Sequence, residues 1–392
     1  MRSAEVCGVY LQAEDEITLR LSQTAAPTEN FNRMKATPDG IAYEPVTLAK
    51  YDLKKIILDN LPEEFSKGKA CTLADVKNGI ASMEEFVATL SEKELEAISR
   101  GDYTMNSPLG AKGNAAVYGG VLESMRKKGI PPVTTTDGPS GIRLTSCATL
   151  MPIGTEIACT WNTELAKALY AEIGKEMKIL GSDVLLAPGI NIHRSPLCGR
   201  NFEYYSEDPL LCGKIAAAAV RGIQNNNRSA CPKHFACNSQ EYNRNGNDSR
   251  LSERALREIY LRGFEICVKE GKPHNIMTSY NLINGVWGHY NYELCTRILR
   301  EEWGYEGNVM TDWWMRKSKS QEFPIMEDQA YRVRAQVDVL MPGGGRVAII
   351  KRPDGTLLKT LGENEGITYG EIQRSAMNIL RFAMNSSAME RL

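Results

Sequence analysis

The sequence predicts an α/β protein built on a parallel sheet, and three observations carry that prediction. From about residue 130 to residue 345, short apolar runs alternate with amphipathic stretches at helical spacing. That is the pattern of repeated strand–helix units. Polar residues recur at or just after the ends of the apolar runs, at Asp137, Asn191, His234, Asn281 and Asp312. The length, 392 residues, suits one barrel of roughly 250 residues plus an extra module. A closed barrel and an open doubly wound sheet both bind ligands at strand C-termini, so the pattern alone leaves both open.

Each element has its own signal. In residues 1 to about 47, Ile17–Ser22 alternates weakly as a strand does, and Pro27, Pro38, Gly40 and Pro45 interrupt the residues after it. This stretch is too short for a core of its own. Tyr51–Leu58 carries an apolar stripe at helix spacing. Ser82-Met-Glu-Glu85 and Ser91-Glu-Lys-Glu94 are capping boxes, each opening a short helix. Strands are predicted at Pro132–Thr136, Val184–Pro188, Ala230–Ala236, Asn275–Tyr280, Asn308–Thr311 and Val337–Met341. Helices are predicted between them at Glu164–Leu180, Pro209–Gln224, Ser252–Glu270 and Tyr292–Trp303, with a last one at Tyr369–Met384.

Composition excludes several classes of function. A formal net charge of −1 argues against a nucleic-acid or anionic-membrane surface as the main partner. No run of about 18 apolar residues is present, and the first residues lack the apolar core of a signal peptide. The ten cysteines are scattered, which suits reduced thiols and a cytoplasmic setting. Cys231-Pro-Lys-His234-Phe-Ala-Cys237 has the look of a metal site, but residues three apart on a strand face opposite ways, so no metal is expected there. There is no G-x-G-x-x-G after a strand and no G-x-x-x-x-G-K-[ST], which leaves nucleotide binding without support.

Four clusters carry chemistry. In Thr136-Asp137-Gly-Pro-Ser-Gly-Ile-Arg143, Asp137 can accept from two neighbouring hydroxyls and Arg143 can donate to others; capping of the turn is the plainer reading. His193 to Pro209 is dense in charges and aromatic rings. That mixture suits a polyhydroxylated ligand, since charges bind hydroxyls and rings cover C–H faces. Arg200 is read as a ligand contact, with Glu203 as its support. Lys233-His234-Phe235 is followed by Asn238, Gln240, Glu241 and Arg244; adjacent residues on a strand face opposite sides unless the backbone re-aims them. Val309-Met-Thr-Asp312-Trp313-Trp314 ends an apolar strand in a carboxylate and two indoles. A nucleophilic carboxylate must stay ionised and needs cationic neighbours. The alternative is that Asp312 caps a following helix.

The strings at 136–143, 199–209, 233–236, 254–261, 277–281 and 310–313 together resemble glycoside hydrolase family 3, most closely its bacterial β-glucosidases. The resemblance covers roughly residues 70 to 385, in order. It implies a TIM-like (β/α)8 barrel over residues 71–392, with residues 1–70 as an N-terminal β/helical extension or the remnant of a preceding domain. It implies hydrolysis of terminal non-reducing β-glucosyl or related residues by a retaining double displacement, with Asp312 as nucleophile. Asp137, Arg143, Arg200, Lys233, His234, Arg244, Tyr280 and Trp313 would hold the sugar. No cofactor is implied, and the partner would be a β-linked oligosaccharide or an aryl or alkyl β-glycoside.

The sequence departs from the family in one respect. The acid/base of these β-glucosidases usually comes from a separate α/β sandwich domain, and some members use an Asp–His pair after the Lys-His-Phe motif instead. The loop from Ala236 to Arg250 holds Asp248 but no histidine. The acid/base is therefore expected from a sandwich domain or second chain, with Glu241 a weak internal candidate. A barrel that binds sugar without turning it over is the competing expectation.

Overall fold

The structure, a computed structural model, describes residues 25–315, 319–344 and 353–391. The expected strand at Ile17–Ser22 lies outside these. The described chain opens with an antiparallel hairpin, β1 (Asn32–Thr37) and β2 (Gly40–Pro45). One of its faces presents Met34, Ile41 and Tyr43 to solvent.

Four strands form the first part of the barrel wall: β3 (Ala116–Gly119), β4 (Pro132–Asp137), β5 (Val184–Leu186) and β6 (Ser229–Ala230). β3 runs antiparallel to β4, and the rest are parallel. A small sheet of β7 (Asp248–Ser249), β9 (Leu282–Ile283) and β10 (Val286–Trp287) lies outside the wall. The wall continues through β8 (Asn275–Met277) and β11 (Asn308–Met310), paired in parallel. A bridge between Phe235 and Thr278 joins the β6 segment to β8, and one between Met310 and Val339 adds the last strand position. Closure uses the end of the helix Glu92–Arg100. Leu340 N donates to Ser99 O at 2.8 Å, and Asp102 N to Val117 O at 2.8 Å. The result is a TIM-like barrel whose first strand is reversed.

The predicted strands at Asn275–Tyr280 and Asn308–Thr311 stop at Met277 and Met310, and Val337–Met341 is reduced to a bridge at Val339. Two further strands are cut short for one reason. Proline brings no N–H to a ladder. The run from Val184 leaves the ladder at Leu186, before Pro188, and the run from Ala230 is interrupted at Pro232, resuming only as bridges at Lys233 and Phe235. Along the wall, neighbouring residues enter different cores, as period-two geometry requires. Leu185, Ile276 and Val309 pack with the helices Thr163–Leu180 and Pro209–Gln224, whereas Val184, Leu186, Met277 and Met310 join the other core.

The helices start where the caps put them. Both capping boxes read from the sequence are formed, at Ser82/Glu85 and Ser91/Glu94. Asp208 caps Pro209–Gln224 by accepting from Leu210 N at 2.7 Å. Gly222 lets this helix meet its neighbour, because a Cβ there would lie 2.4 Å from Lys167 O. The last long helix, Tyr369–Asn385, ties to the barrel through Asp338, whose Oδ1 accepts from Ser375 and Asn378 at 3.0 Å each. Asp338 Oδ2 takes the amide of Val309 at 2.9 Å and Arg300 at 2.7 Å. This buried carboxylate thus fixes β11, the strand that leads to Asp312. No described helix is long and apolar enough to cross a membrane. The nine described cysteines are all free.

Candidate active site

The C-terminal ends of β4, β11 and the β6 segment converge on one polar pocket. Asp137 ends β4, and its Oδ1 receives Lys233 Nζ at 3.1 Å and the amide of Gly138 at 2.9 Å. Arg143 pairs with its other oxygen. Burial works against the Asp137 charge, but Lys233 and Arg143 outweigh it and hold the carboxyl below its ordinary range. The turn after β4 brings Arg143 back, since Arg143 N donates to Asp137 O at 2.8 Å.

Asp312 stands two residues beyond β11 and is 8% exposed. Its Oδ1 accepts from Trp313 N at 2.7 Å, so it turns its own chain but caps no helix. Its Oδ2 is buried without a hydrogen-bond partner among the described residues. His234 Nε2 faces that oxygen at 3.5 Å. Burial pushes the Asp312 carboxyl above its ordinary value, while Arg200, Lys233 and Arg244 pull the other way. Asp312 thus combines a buried carboxylate with the charges of three cations, surroundings that shift a carboxyl group in opposite directions.

His234 and Lys233 both reach this pocket, and the peptide between them is cis. Asn191 receives the His234 amide at 2.8 Å and donates to its carbonyl at 3.0 Å. Burial first, then Arg200, Lys233 and Arg244, drive the His234 pKa well below its usual value, which favours the uncharged ring. The metal-like spacing of Cys231, His234 and Cys237 builds no cluster of three or more ligand residues among the described residues.

Arg200 pairs with buried Glu203, and Glu241 Oε1 lies 4.0 Å from its Nε. Arg244 reaches Glu241 Oε2 at 3.0 Å, and its guanidinium sits 4.2 Å from the centre of the Tyr280 ring. Tyr280 donates to Trp313 O at 2.5 Å, and Trp313 Nε1 donates to Ala115 O at 3.1 Å. The indole is thereby fixed as a wall, an apolar surface suited to C–H groups. Direct contacts link Asp137 with Arg143 and Lys233, Asp312 with His234, and Tyr280 with Arg244 and Trp313; Arg200 bears on Asp312 through its charge. Asp248, the other carboxylate of the loop, is held away by Arg250 at 2.8 Å and Gly285 N at 2.9 Å.

Two residues have roles that residue-level reading did not reach. Tyr204, fully buried, lies 3.1 Å from His234 Nδ1, and Asn238 donates to its hydroxyl at 3.1 Å. Tyr204 sits inside the aromatic run at 199–209, but no spacing rule signals a phenol beneath a histidine from another strand.

This is a barrel whose mouth gathers one deeply buried carboxylate, a second ion-paired carboxylate, several cations and an aromatic wall. The model of the Glycosyl hydrolase family 3 N terminal domain matches residues 70–382, and the chain belongs to that family. It is 42% identical over 400 residues to a beta-glucosidase of Ruminococcus albus, an alignment covering 100% of this chain and 41% of the relative. A beta-glucosidase structure from Paenibacillus barengoltzii superposes with a TM-score of 0.84 at 46% identity, over 94% of this chain and 41% of that one. Beta-glucosidase 3B of Thermotoga neapolitana, solved with α-D-glucose, gives a TM-score of 0.72 at 36% identity, over 79% and 44%. The chain therefore spans well under half the length of these relatives.

Proposed function

We propose that this chain carries the nucleophile side of a retaining β-glucosidase site and acts on terminal β-D-glucosyl or closely related residues. The observation that supports it best is the buried Oδ2 of Asp312, without a hydrogen-bond partner among the described residues and under the charges of Arg200, Lys233 and Arg244. In this reading, Asp312 Oδ2 attacks the anomeric carbon and the bond to the aglycone oxygen breaks. The electron pair leaves with that oxygen, which takes a proton from the acid. Water then cleaves the glycosyl ester, gives its proton to the same group and frees the sugar. Asp137, Lys233 and Arg143 hold hydroxyls on one side of the ring, Arg200, His234 and Arg244 on the other. Tyr280 and Trp313 supply the wall. Barrel and extension divide at about residue 70, in keeping with the start of the family match.

The acid/base is assigned to a group outside the described barrel residues, in a sandwich domain or second chain. The supporting observation is that the described carboxylates Asp137, Glu203 and Glu241 are each engaged by cations or donors: Asp137 by Lys233 and Arg143, Glu203 by Arg200, Glu241 by Arg244 and Asn238. The same observation favours the second reading, a barrel that binds sugar and turns it over poorly by itself.

The test is the intact mass after exposure to a 2-deoxy-2-fluoro-β-glucoside with a very good leaving group, followed by peptide mapping. Such a group departs without an acid, so the nucleophile is examined alone. A covalent sugar on Asp312 is expected. A label on another residue, or none on the folded protein, sinks the assignment.

A further inference from the structure

The pocket contains a chain of polar contacts, an ion pair followed by hydrogen bonds, that runs from Arg244 to His234. Arg244 reaches Glu241 Oε2 at 3.0 Å. The Glu241 carboxylate can only accept, so Asn238 must turn Nδ2 towards its Oε1, at 3.3 Å. The same Nδ2 donates to the Tyr204 hydroxyl at 3.1 Å. Asn238 Nδ2 can only donate, so among the described residues the single Tyr204 proton has His234 Nδ1, 3.1 Å away, as its acceptor. His234 Nδ1 is then an acceptor, and the one N–H of the neutral ring sits on Nε2. Nε2 faces Asp312 Oδ2 at 3.5 Å.

We propose that Tyr204 is a positioning residue that selects the Nε2–H tautomer of His234, so that a donor and not a lone pair faces the nucleophile. This rests on the reading of Asp312 as nucleophile. The opposite tautomer would set the Nε2 lone pair against an ionised carboxylate and orient no proton into the pocket. At 3.5 Å the contact is loose, as contacts at sites without substrate often are. The proton on Nε2 can meet either Asp312 or a sugar hydroxyl beside it, and both uses require the same tautomer. The selection needs only the phenol proton; the Tyr204 ring packs whether or not the oxygen is there. Tyr204 itself is wholly buried, so it acts through His234 and touches no substrate.

The experiment is a nitrogen-15 spectrum of the histidines in the full chain near neutral pH, with the His234 signals assigned by their loss in His234→Asn. The proposal expects a neutral ring with the proton on Nε2 and a bare, hydrogen-bonded Nδ1. In Tyr204→Phe it expects a tautomer mixture and a rate of labelling by the fluoro-glucoside lowered by roughly ten- to a hundredfold, the scale known for partners that orient the ligating histidines of metal sites. The loss should fall on the rate constant at saturation more than on half-saturation. A wild-type His234 protonated on Nδ1, or a Tyr204→Phe protein that labels as fast as wild type, overturns it. The wild-type spectrum decides the tautomer even if the variant fails to fold. If the wild type takes no label at all, the nucleophile reading fails while the spectrum still reports on His234.

Discussion

Asp137 and Asp312 look alike in the sequence, each the second member of a Thr-Asp pair closing an apolar barrel strand. The fold makes them opposites. Asp137 has both oxygens filled, by Lys233 and Gly138 on one side and Arg143 on the other, and its carboxyl is held down. Asp312 is more deeply buried, keeps one oxygen without a hydrogen-bond partner among the described residues and is held up. Two carboxylates pushed apart by their surroundings can take different tasks. The paired one suits fixed recognition of hydroxyls, the unpaired one suits attack.

The largest expected effect breaks the pair at Asp312. Asp312→Asn should lower hydrolysis by roughly a thousandfold or more, as loss of a nucleophile does, while isothermal titration with glucose still shows binding. The same change should raise the thermal midpoint at neutral pH. A folded-state pKa above the unfolded one means the native state binds more protons in between, so stability falls as pH rises across that window. Removing the charge removes that penalty, a common trade between activity and stability. Survival of hydrolysis would end the assignment.

Next is the acid limb of the pH–rate profile with a well-leaving aryl glucoside. Asp312 must be ionised to attack, so kcat/KM should fall as pH drops through a value above the ordinary aspartate pKa of about 3.9. Lys233→Met should move that limb higher, because Lys233 is one of the cations that offset burial. The same variant frees one oxygen of Asp137 and should raise KM. A limb that stays put in Lys233→Met would show that the two carboxylates do not share this cation. Asp137→Asn is the milder change. It should raise KM by about tenfold, on the scale of one charge-assisted hydrogen bond lost, and leave the acid limb in place.

The sequence made the barrel legible because its strands and helices keep their periods, and because caps such as Ser82/Glu85, Ser91/Glu94 and Asp208 act within a few residues. The reversed β3 was not legible: no strand was expected at Ala116–Gly119, and its direction is set by pairing with β4 across a chain turn. The site residues were readable as types at strand ends, but their states were not. Nothing in Thr136-Asp137 or Thr311-Asp312 tells which carboxylate receives Lys233 or which is left bare, because the partners arrive from other strands far along the chain. Tyr204 and Asn238 are the extreme case: their contribution exists only as an orientation of protons.

The smallest expected effect lies outside the site, at another buried carboxylate that tests whether burial alone explains Asp312. Glu293 starts the helix Glu293–Glu302 and lines a small cavity beside Ala25 and Ala26. Burial raises its pKa to about 8, opposed by Arg297 and aided by Glu322. With the folded value raised, its contribution to stability is greatest below the unfolded pKa of about 4.3 and is lost as pH climbs to about 8. Glu293→Gln should flatten that slope in denaturant titrations taken between those limits, with no change in the acid limb of the rate. Asp312→Asn should change both. If Glu293→Gln also moves the rate profile, the two buried carboxylates are electrostatically coupled, and the behaviour of Asp312 belongs to the whole barrel rather than to its ring of three cations.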